Sequence, residues 1–193
     1  MPLFSFRRLD IDPLAISMAG VKLGERLLQI GVDDALLAGQ LAAKTGLSGT
    51  AAHMVATDDE AVKVNRGAKK AGALVEVRVG RLDRLPFDDS AFDLVVIHSA
   101  RGQLASTDGA ERSAALQACR RVLRPGGRVV TIEAGTSSGL RSILRSPPAA
   151  QAAYDAGGGT SAALRQAGFN AARDLGDREG LKFVEGLKGA AIG

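Results

Sequence analysis

A nearly continuous apolar run at residues 92–98 constrains this fold most, together with a helical pattern at 110–123 and a β-branched run at 127–133. Strands that are apolar at almost every position are buried on both faces, as in parallel sheets covered by helices. Parallel neighbours also need a long crossover, which is usually a helix. This part of the chain therefore predicts a βαβ unit.

The same alternation of strand and helix occurs earlier in the chain. The sequence predicts strands at residues 26–32, 51–56 and 73–79, with helices at 34–44 and 58–71 between them. Repeated βαβ units form right-handed crossovers and place helices on both faces of one sheet. The fold class is therefore α/β, with a mostly parallel sheet.

The two ends of the chain depart from this alternation. Residues 11–20 predict a short helix followed by a turn. Residues 161–167 predict a last helix, and 171–175 with 182–187 predict a terminal antiparallel hairpin around glycines. We expect a single domain over residues 1–193, in which 1–23 form an N-terminal helical extension.

Residues 134–159 interrupt the pattern with glycines, serines and two adjacent prolines. This composition is typical of a connection, so we expect a variable lid or linker with a short helix near 138–145. Within 139–145, three apolar side chains share one face and two arginines share the other. This segment could cover a substrate, make a peripheral contact with a partner or membrane surface, or pack as an ordinary surface helix.

Composition excludes several function classes. The net charge is +4, but the arginines are scattered and aromatic residues are only 4%, so nucleic-acid binding is not expected. No apolar run is long enough for a transmembrane helix, and no secretory signal is evident. One cysteine and two histidines form no metal-binding pattern, so we expect no metal and a cytoplasmic location.

Three stretches carry a more specific pattern. They are Leu85-Pro-Phe87 followed by Ser90 and Phe92-Asp93, then Val122-Leu-Arg-Pro-Gly-Gly127, then Leu164-Arg-Gln-Ala-Gly-Phe169. Together they resemble class I S-adenosylmethionine (SAM) dependent methyltransferases, especially the quinone-biosynthesis or methyltransferase type 11 branch. The resemblance implies a Rossmann-like, seven-stranded sheet that ends in an antiparallel hairpin.

The resemblance also implies where a cofactor would bind. The family pattern D/E-x-G-x-G-x-G falls on residues 29–35, where Gln29 replaces the acid and Gly31 is the one matching glycine. The acid that ends the second strand falls on Val55, and the acid after the third strand falls on Arg81. The implied SAM-binding positions are Gly31, Val32, Asp33, Val55, Arg81 and Leu82.

Two functions follow from this combination. The first is SAM-dependent methyl transfer to a small molecule or protein acceptor through an altered cofactor site. The alternative is a catalytically inactive member of the fold that acts in binding or assembly.

Two residues sharpen these alternatives. His98, at the end of the fourth strand, could act as a general base or could be a structural histidine. Arg81 could pair with Asp33 or Asp34 and close the pocket from within.

Overall fold

The computed structural model describes residues 13–135, 149–178 and 180–190. Its elements follow one another in the order α1 (Pro13–Ala19), β1 (Arg26–Ile30), α2 (Ala35–Lys44), β2 (Thr50–Val55), α3 (Asp58–Ala71), β3 (Glu76–Val79), β4 (Phe92–Ser99), α4 (Gln103–Ser106), α5 (Gly109–Val122), β5 (Leu123–Ala134), α6 (Ala149–Ala156), α7 (Gly159–Gln166), β6 (Ala171–Arg178) and β7 (Leu181–Leu187).

All seven strands join one sheet in the order β3-β2-β1-β4-β5-β7-β6. Strands β1 to β5 are mutually parallel, and β7 pairs antiparallel with both β5 and β6. The order reverses between β1 and β4, because β2 and β3 extend one way and β4 and β5 the other. In open α/β sheets, ligands bind beyond the carboxyl ends of the strands at such a reversal.

The core has two halves because successive strand residues point to opposite faces. Leu28 and Val95 pack with α5 and α7 on one face, where Leu116 and Leu164 are fully buried. Leu27 and Leu94 pack on the other face with residues of α1 and α2. Burial of both faces explains the continuous apolar run of β4.

Helices α2 and α3 touch through their backbones. A Cβ atom on Gly67 would lie 1.8 Å from the carbonyl oxygen of Ala35, and one on Gly39 would lie 2.4 Å from that of Gly67. These two glycines therefore allow a contact that no larger residue permits. The contact fixes the start of α2, and with it the loop that follows β1.

The motif stretches meet at the amino end of β4. The Arg121 guanidinium donates hydrogen bonds to the carbonyls of Leu85 and Phe87 and to the Asp89 carboxylate. Gly126 has a φ of 73°, as expected for the turn in the Pro-Gly-Gly motif. These motifs hold the scaffold together and lie away from the carboxyl ends of the parallel strands.

The predicted α/β class, the parallel sheet and the C-terminal hairpin are confirmed. Helices α4 and α6 were not predicted from the sequence. Strand β5 begins at Leu123, four residues before the predicted start at Gly127. The predicted helix at 138–145, including the surface segment 139–145, lies outside the described residues, as do residues 1–12. Among the helices in the described part of the chain, none is long and apolar enough to cross a membrane.

Candidate functional site

A cavity of about 540 Å³ opens at the carboxyl ends of β1, β2, β3 and β4, at the reversal of strand order. The loop after β1, the loop after β3 and the segment from β4 into α5 form its walls. Its apolar lining includes Ile30, Leu82, Ile97 and Leu104, and its charged lining is Glu60, Arg81, Asp83, Glu111 and Arg112. Of the predicted positions, Gly31, Val32, Arg81, Leu82 and His98 all line this cavity.

Gly31 begins the loop after β1 in a left-handed conformation, with a φ of 70°. Its amide donates to the Met54 carbonyl at 2.9 Å, and its carbonyl accepts a hydrogen bond from His53 Nε2 at 2.7 Å. A Cβ atom here would lie 3.2 Å from the His98 carbonyl oxygen. Both the backbone conformation and the close approach favour glycine at this position.

A buried neutral network supports that loop. Gln29 donates through Nε2 to the Ala38 carbonyl at 2.9 Å, which directs its Oε1 toward His98. His98 Nε2 therefore donates to Gln29 Oε1 at 2.9 Å, and the His98 ring stacks on His53 at 5.9 Å. Burial lowers the pKa of His53 to about 4, although its bond to the Gly31 carbonyl opposes the shift.

Burial, with repulsion from His53, lowers the pKa of His98 to about 3. An imidazole with this pKa has little affinity for a substrate proton, and its Nε2 already donates to Gln29. Both facts argue against the general-base role that the sequence suggested for His98. The geometry gives His98 a structural role under the Gly31 loop.

Asp33 bridges two loops. Its Oδ2 accepts from the Ala100 amide at 2.5 Å and its Oδ1 accepts from Gln103 Nε2 at 2.7 Å. Arg101 Nε lies 3.6 Å from the same Oδ1. Ser90 is the single non-glycine with positive φ in the described part of the chain, so Asp33 replaces a family glycine without backbone strain.

The proposed ion pair between Arg81 and Asp33 or Asp34 is wrong. Arg81 instead forms two hydrogen bonds to Asp83, both at 2.9 Å. Asp34 caps α2 by accepting from the amides of Leu36 and Leu37. Arg81 and Asp83 are only two residues apart, so this pair forms within one loop.

Val55 is fully buried, and its carbonyl accepts from the Gly80 amide at 3.0 Å. The nearest carboxylate on this side of the cavity belongs to Glu60, in the first turn of α3. Glu60 Oε2 accepts from the Ala56 amide at 2.9 Å, and the Thr57 hydroxyl accepts from the Glu60 amide. The Thr57-x-x-Glu60 spacing is a helix-capping signal that could have located Glu60 from the sequence.

A second polar cluster lies beside the cavity. Thr131 donates to the buried Glu133, Thr160 also bonds to Glu133, and Tyr154 Oη lies 2.8 Å from Thr160 Oγ1. Burial raises the pKa of Glu133, and it raises that of Tyr154 to about 12. Arg112 stacks over the Tyr154 ring at 4.6 Å, so this cluster anchors α6 and α7 against the cavity wall.

With this geometry established, comparison with known proteins identifies the family. The family described as "Methyltransferase domain" matches residues 28–131, which is more than half of the chain. The chain belongs to this methyltransferase domain family. The match begins in β1 and ends in β5, and so covers the strands whose carboxyl ends form the cavity.

Curated relatives of this methyltransferase domain come from quinone biosynthesis. The ubiquinone/menaquinone biosynthesis C-methyltransferase UbiE of Idiomarina loihiensis is 34% identical over 121 residues, covering 61% of this chain and 46% of that protein. The demethylmenaquinone methyltransferase of Mycolicibacterium gilvum is 32% identical over 146 residues, covering 72% of this chain and 60% of that protein. The chain thus spans about half the length of the first of these relatives.

Solved structures confirm the fold. A SAM-dependent methyltransferase from Aquifex aeolicus superposes with a TM-score of 0.71, covering 92% of this chain and 89% of that one at 17% identity. A second, from Methanosarcina mazei, has a TM-score of 0.62 and covers 94% of this chain and all of that one at 20% identity. At these identities the likeness describes the methyltransferase fold alone.

SAM is the cofactor of this family, and the cavity has the volume of a small-molecule site. Small-molecule sites typically enclose about 300–1,000 Å³ between mostly apolar walls. Leu82 and Leu104 supply such walls, and the Glu60 carboxylate supplies an acceptor for hydroxyl groups. The methyltransferase domain therefore fits a nucleoside of this size, with altered charges at Asp33 and Arg81.

Proposed function

We propose that this chain is a SAM-dependent methyltransferase domain that methylates a small molecule of the quinone-precursor type. The observation that carries the proposal is the cavity at the strand-order reversal. Of the six positions that the resemblance assigned to the cofactor, Gly31, Val32, Arg81 and Leu82 line that cavity, whereas Asp33 and Val55 do not. The names of the quinone-biosynthesis relatives support the acceptor class and C-methylation.

When bound, SAM supplies a methyl group activated by its sulfonium. The residues of this chain bind and orient the reactants. Gly31 and Val32 line the cavity, and Glu60 adds a carboxylate to the same lining. Leu82 and Leu104 exclude water from the apolar part of the cavity. Such positioning contributes a large part of the barrier reduction in reactions between two bound molecules.

Proton removal from the acceptor is not assigned to His98. Its imidazole is buried and neutral, and it holds the loop through Gln29. The role of His98 and His53 in the proposed reaction is to fix the carbonyl and backbone of Gly31. They act as positioning residues, because they reach the cofactor wall through that loop and do not themselves react.

Calorimetric titration of the purified chain with SAM and with S-adenosylhomocysteine tests the proposal. We expect binding of both, and Gly31→Ala should weaken it by about tenfold or more, equivalent to about 1.4 kcal/mol. Gly72→Ala is a matched control because Gly72 also has a positive φ, of 67°, but has open space around it at the end of α3. It should leave the affinity unchanged.

Transfer of labelled methyl from SAM to a demethylated quinone tests the acceptor class. Binding of SAM without transfer to any quinone precursor would contradict the acceptor class only. Absence of any heat with both nucleosides at millimolar concentration would contradict the methyltransferase function itself. That result would favour the alternative of a catalytically inactive subunit.

A further inference from the structure

We infer that Asp33 makes this site selective for nucleosides whose tail is cationic and lacks a carboxylate, so that decarboxylated SAM binds more tightly than SAM. The inference rests on the proposed function, because it assumes that the cavity holds a sulfonium nucleoside. It concerns the part of the ligand that extends toward the loop after β1.

The position of Asp33 carries the inference. Gly31 and Val32, which precede Asp33, line the cavity, as do Ser99 of β4 and Gln103 of α4. Asp33 itself does not line the cavity, but its carboxylate accepts from Gln103 and from the Ala100 amide, and its side chain is only 11% exposed. A ligand tail that reaches Gln103 therefore lies one hydrogen bond away from the Asp33 carboxylate.

The hydrogen-bond donors next to Asp33 are already used. Asp33 accepts from the Ala100 amide at 2.5 Å and from Gln103 Nε2 at 2.7 Å. An amide and a side-chain NH₂ pointing toward the same position are suitable donors for a carboxylate. Here the carboxylate comes from the protein, so the carboxylate of a ligand tail would lose these partners and meet a like charge.

The two arginines that line the cavity have partners other than Asp33. Arg81 is paired with Asp83, and Arg112 donates to the carbonyls of Leu104 and Thr107. Arg101 lies 3.6 Å from Asp33 but is exposed, and exposed pairs contribute little because water screens them. A cationic amine in the same position would instead be attracted by the Asp33 carboxylate.

The alternative is that Asp33 serves only as a clamp between two loops. The Asp33→Asn variant distinguishes a structural clamp from a residue that selects the ligand tail. An asparagine oxygen can still accept from the Ala100 amide, but the negative charge is lost. Asp34→Asn is the matched control, since it removes a neighbouring charge and keeps a good capping residue on α2.

The experiment measures dissociation constants of the full chain for SAM, decarboxylated SAM and 5′-methylthioadenosine, which has no charged tail. We expect decarboxylated SAM to bind at least about tenfold more tightly than SAM, which is about 1.4 kcal/mol. The ratio should fall toward one in Asp33→Asn and stay unchanged in Asp34→Asn. Thermal unfolding of each variant checks that the fold is retained.

Each other result has a defined meaning. SAM binding as tightly as decarboxylated SAM, or a ratio that Asp33→Asn leaves unchanged, overturns the selectivity and leaves the methyltransferase proposal intact. A third outcome is that methylthioadenosine binds while SAM and decarboxylated SAM bind equally well. The site would then recognise the nucleoside and not the charged tail, and the inference would be overturned. If none of the three nucleosides binds, the inference and the proposed function both fail.

Discussion

The amino end of the parallel strands and the cavity at their carboxyl end depart from the family pattern to different degrees. At the amino end, Arg121 joins the two motif stretches, and Asp93 accepts from Arg26 and Arg124. Beside the cavity, Gln29 and Asp33 stand where the pattern has an acid and a glycine. Motif residues are kept at the amino end, where they bind one another, and two are replaced beside the cavity.

Each of the replaced residues forms hydrogen bonds within the chain. Gln29 bonds to His98 and Ala38, Asp33 to the loop after β4, and Arg81 to Asp83. The two ends therefore differ in their chemistry. The amino end is stabilised mainly by ion pairs around Asp93, whereas the Gly31 loop at the cavity rests on the neutral network of Gln29, His98 and His53.

Acidification should act on the cavity end first, and this is the largest effect we expect. The pKa values of His53 and His98 are lowered by burial to about 4 and about 3, from 6.5 in the unfolded chain. The unfolded chain therefore binds more protons below pH 6.5, and stability falls as the pH drops from 6.5 toward 4. The slope is about 1.4 kcal/mol per pH unit for each histidine. Urea unfolding at several pH values measures it.

Two carboxyl groups also affect how stability changes with pH in this range. Hydrogen bonds from Arg26 and Arg124 outweigh the burial of Asp93 and hold the pKa of this carboxyl well below its usual range. Its contribution is therefore lost only at lower pH, below the pKa of an unfolded aspartate. Burial raises the pKa of Glu133, so protonation of that residue stabilises the fold and reduces the slope. Histidine proton resonances that titrate near pH 6.5 in the folded chain would contradict this account.

Removing the Asp93 charge, at the amino end of the parallel strands, should have the next largest effect on stability. Asp93→Asn leaves Arg26 and Arg124 without their shared carboxylate, whose side chain is only 15% exposed. We expect a loss of about 2 kcal/mol in the free energy of unfolding, since hydrogen bonds to charged groups contribute about 1.5–3 kcal/mol. Chemical denaturation of variant and parent measures the difference.

Asp89→Asn is the control for that variant. Asp89 pairs with Arg121, but its side chain is 75% exposed, so less than about 1 kcal/mol should be lost. Neither change should alter SAM affinity, because both residues lie far from the carboxyl ends of the parallel strands. Equal losses from the two variants would show that the Asp93 network is no stronger than an ordinary surface pair.

The smallest effect should come from Arg81→Ala at the cavity end. The Arg81 side chain is 68% exposed, so the free energy of unfolding should stay close to that of the parent chain. SAM affinity should nevertheless rise a few-fold, because the Asp83 carboxylate loses its partner and can accept from a ligand. Arg78→Ala, which breaks an exposed pair with Glu76, should leave the affinity unchanged. Weaker SAM binding by Arg81→Ala would show that this arginine contacts the ligand instead.

Much of the fold could be predicted because its signals are local. Helix α3 begins at Asp58 and ends at Ala71, where Gly72 adopts a left-handed conformation that a glycine stop signal predicts. The apolar pattern of β4 likewise reports burial on both faces. Helix α4 has four residues and no periodic pattern, so its sequence carries too little information to predict it.

Some residues that line the cavity could be located from the sequence, but their partners could not. The sequence identified Gly31 and Leu82 through the family spacing, whereas Glu60 reaches the cavity from a helix turn that follows Val55. The proposed partner of Arg81 was wrong because a bidentate pair with Asp83, two residues away, forms at lower conformational cost.

The sequence by itself determined the α/β class, the order of the elements and the family, because periodicity and turn glycines act over a few residues. Only the tertiary structure decided that Asp33 takes the donors of the loop after β4, and that His98 is a buried neutral support. Those contacts join residues about seventy positions apart, at 33 and 103 or 29 and 98. These contacts form because β1 and β4 are parallel neighbours in the sheet, which brings the ends of both strands together.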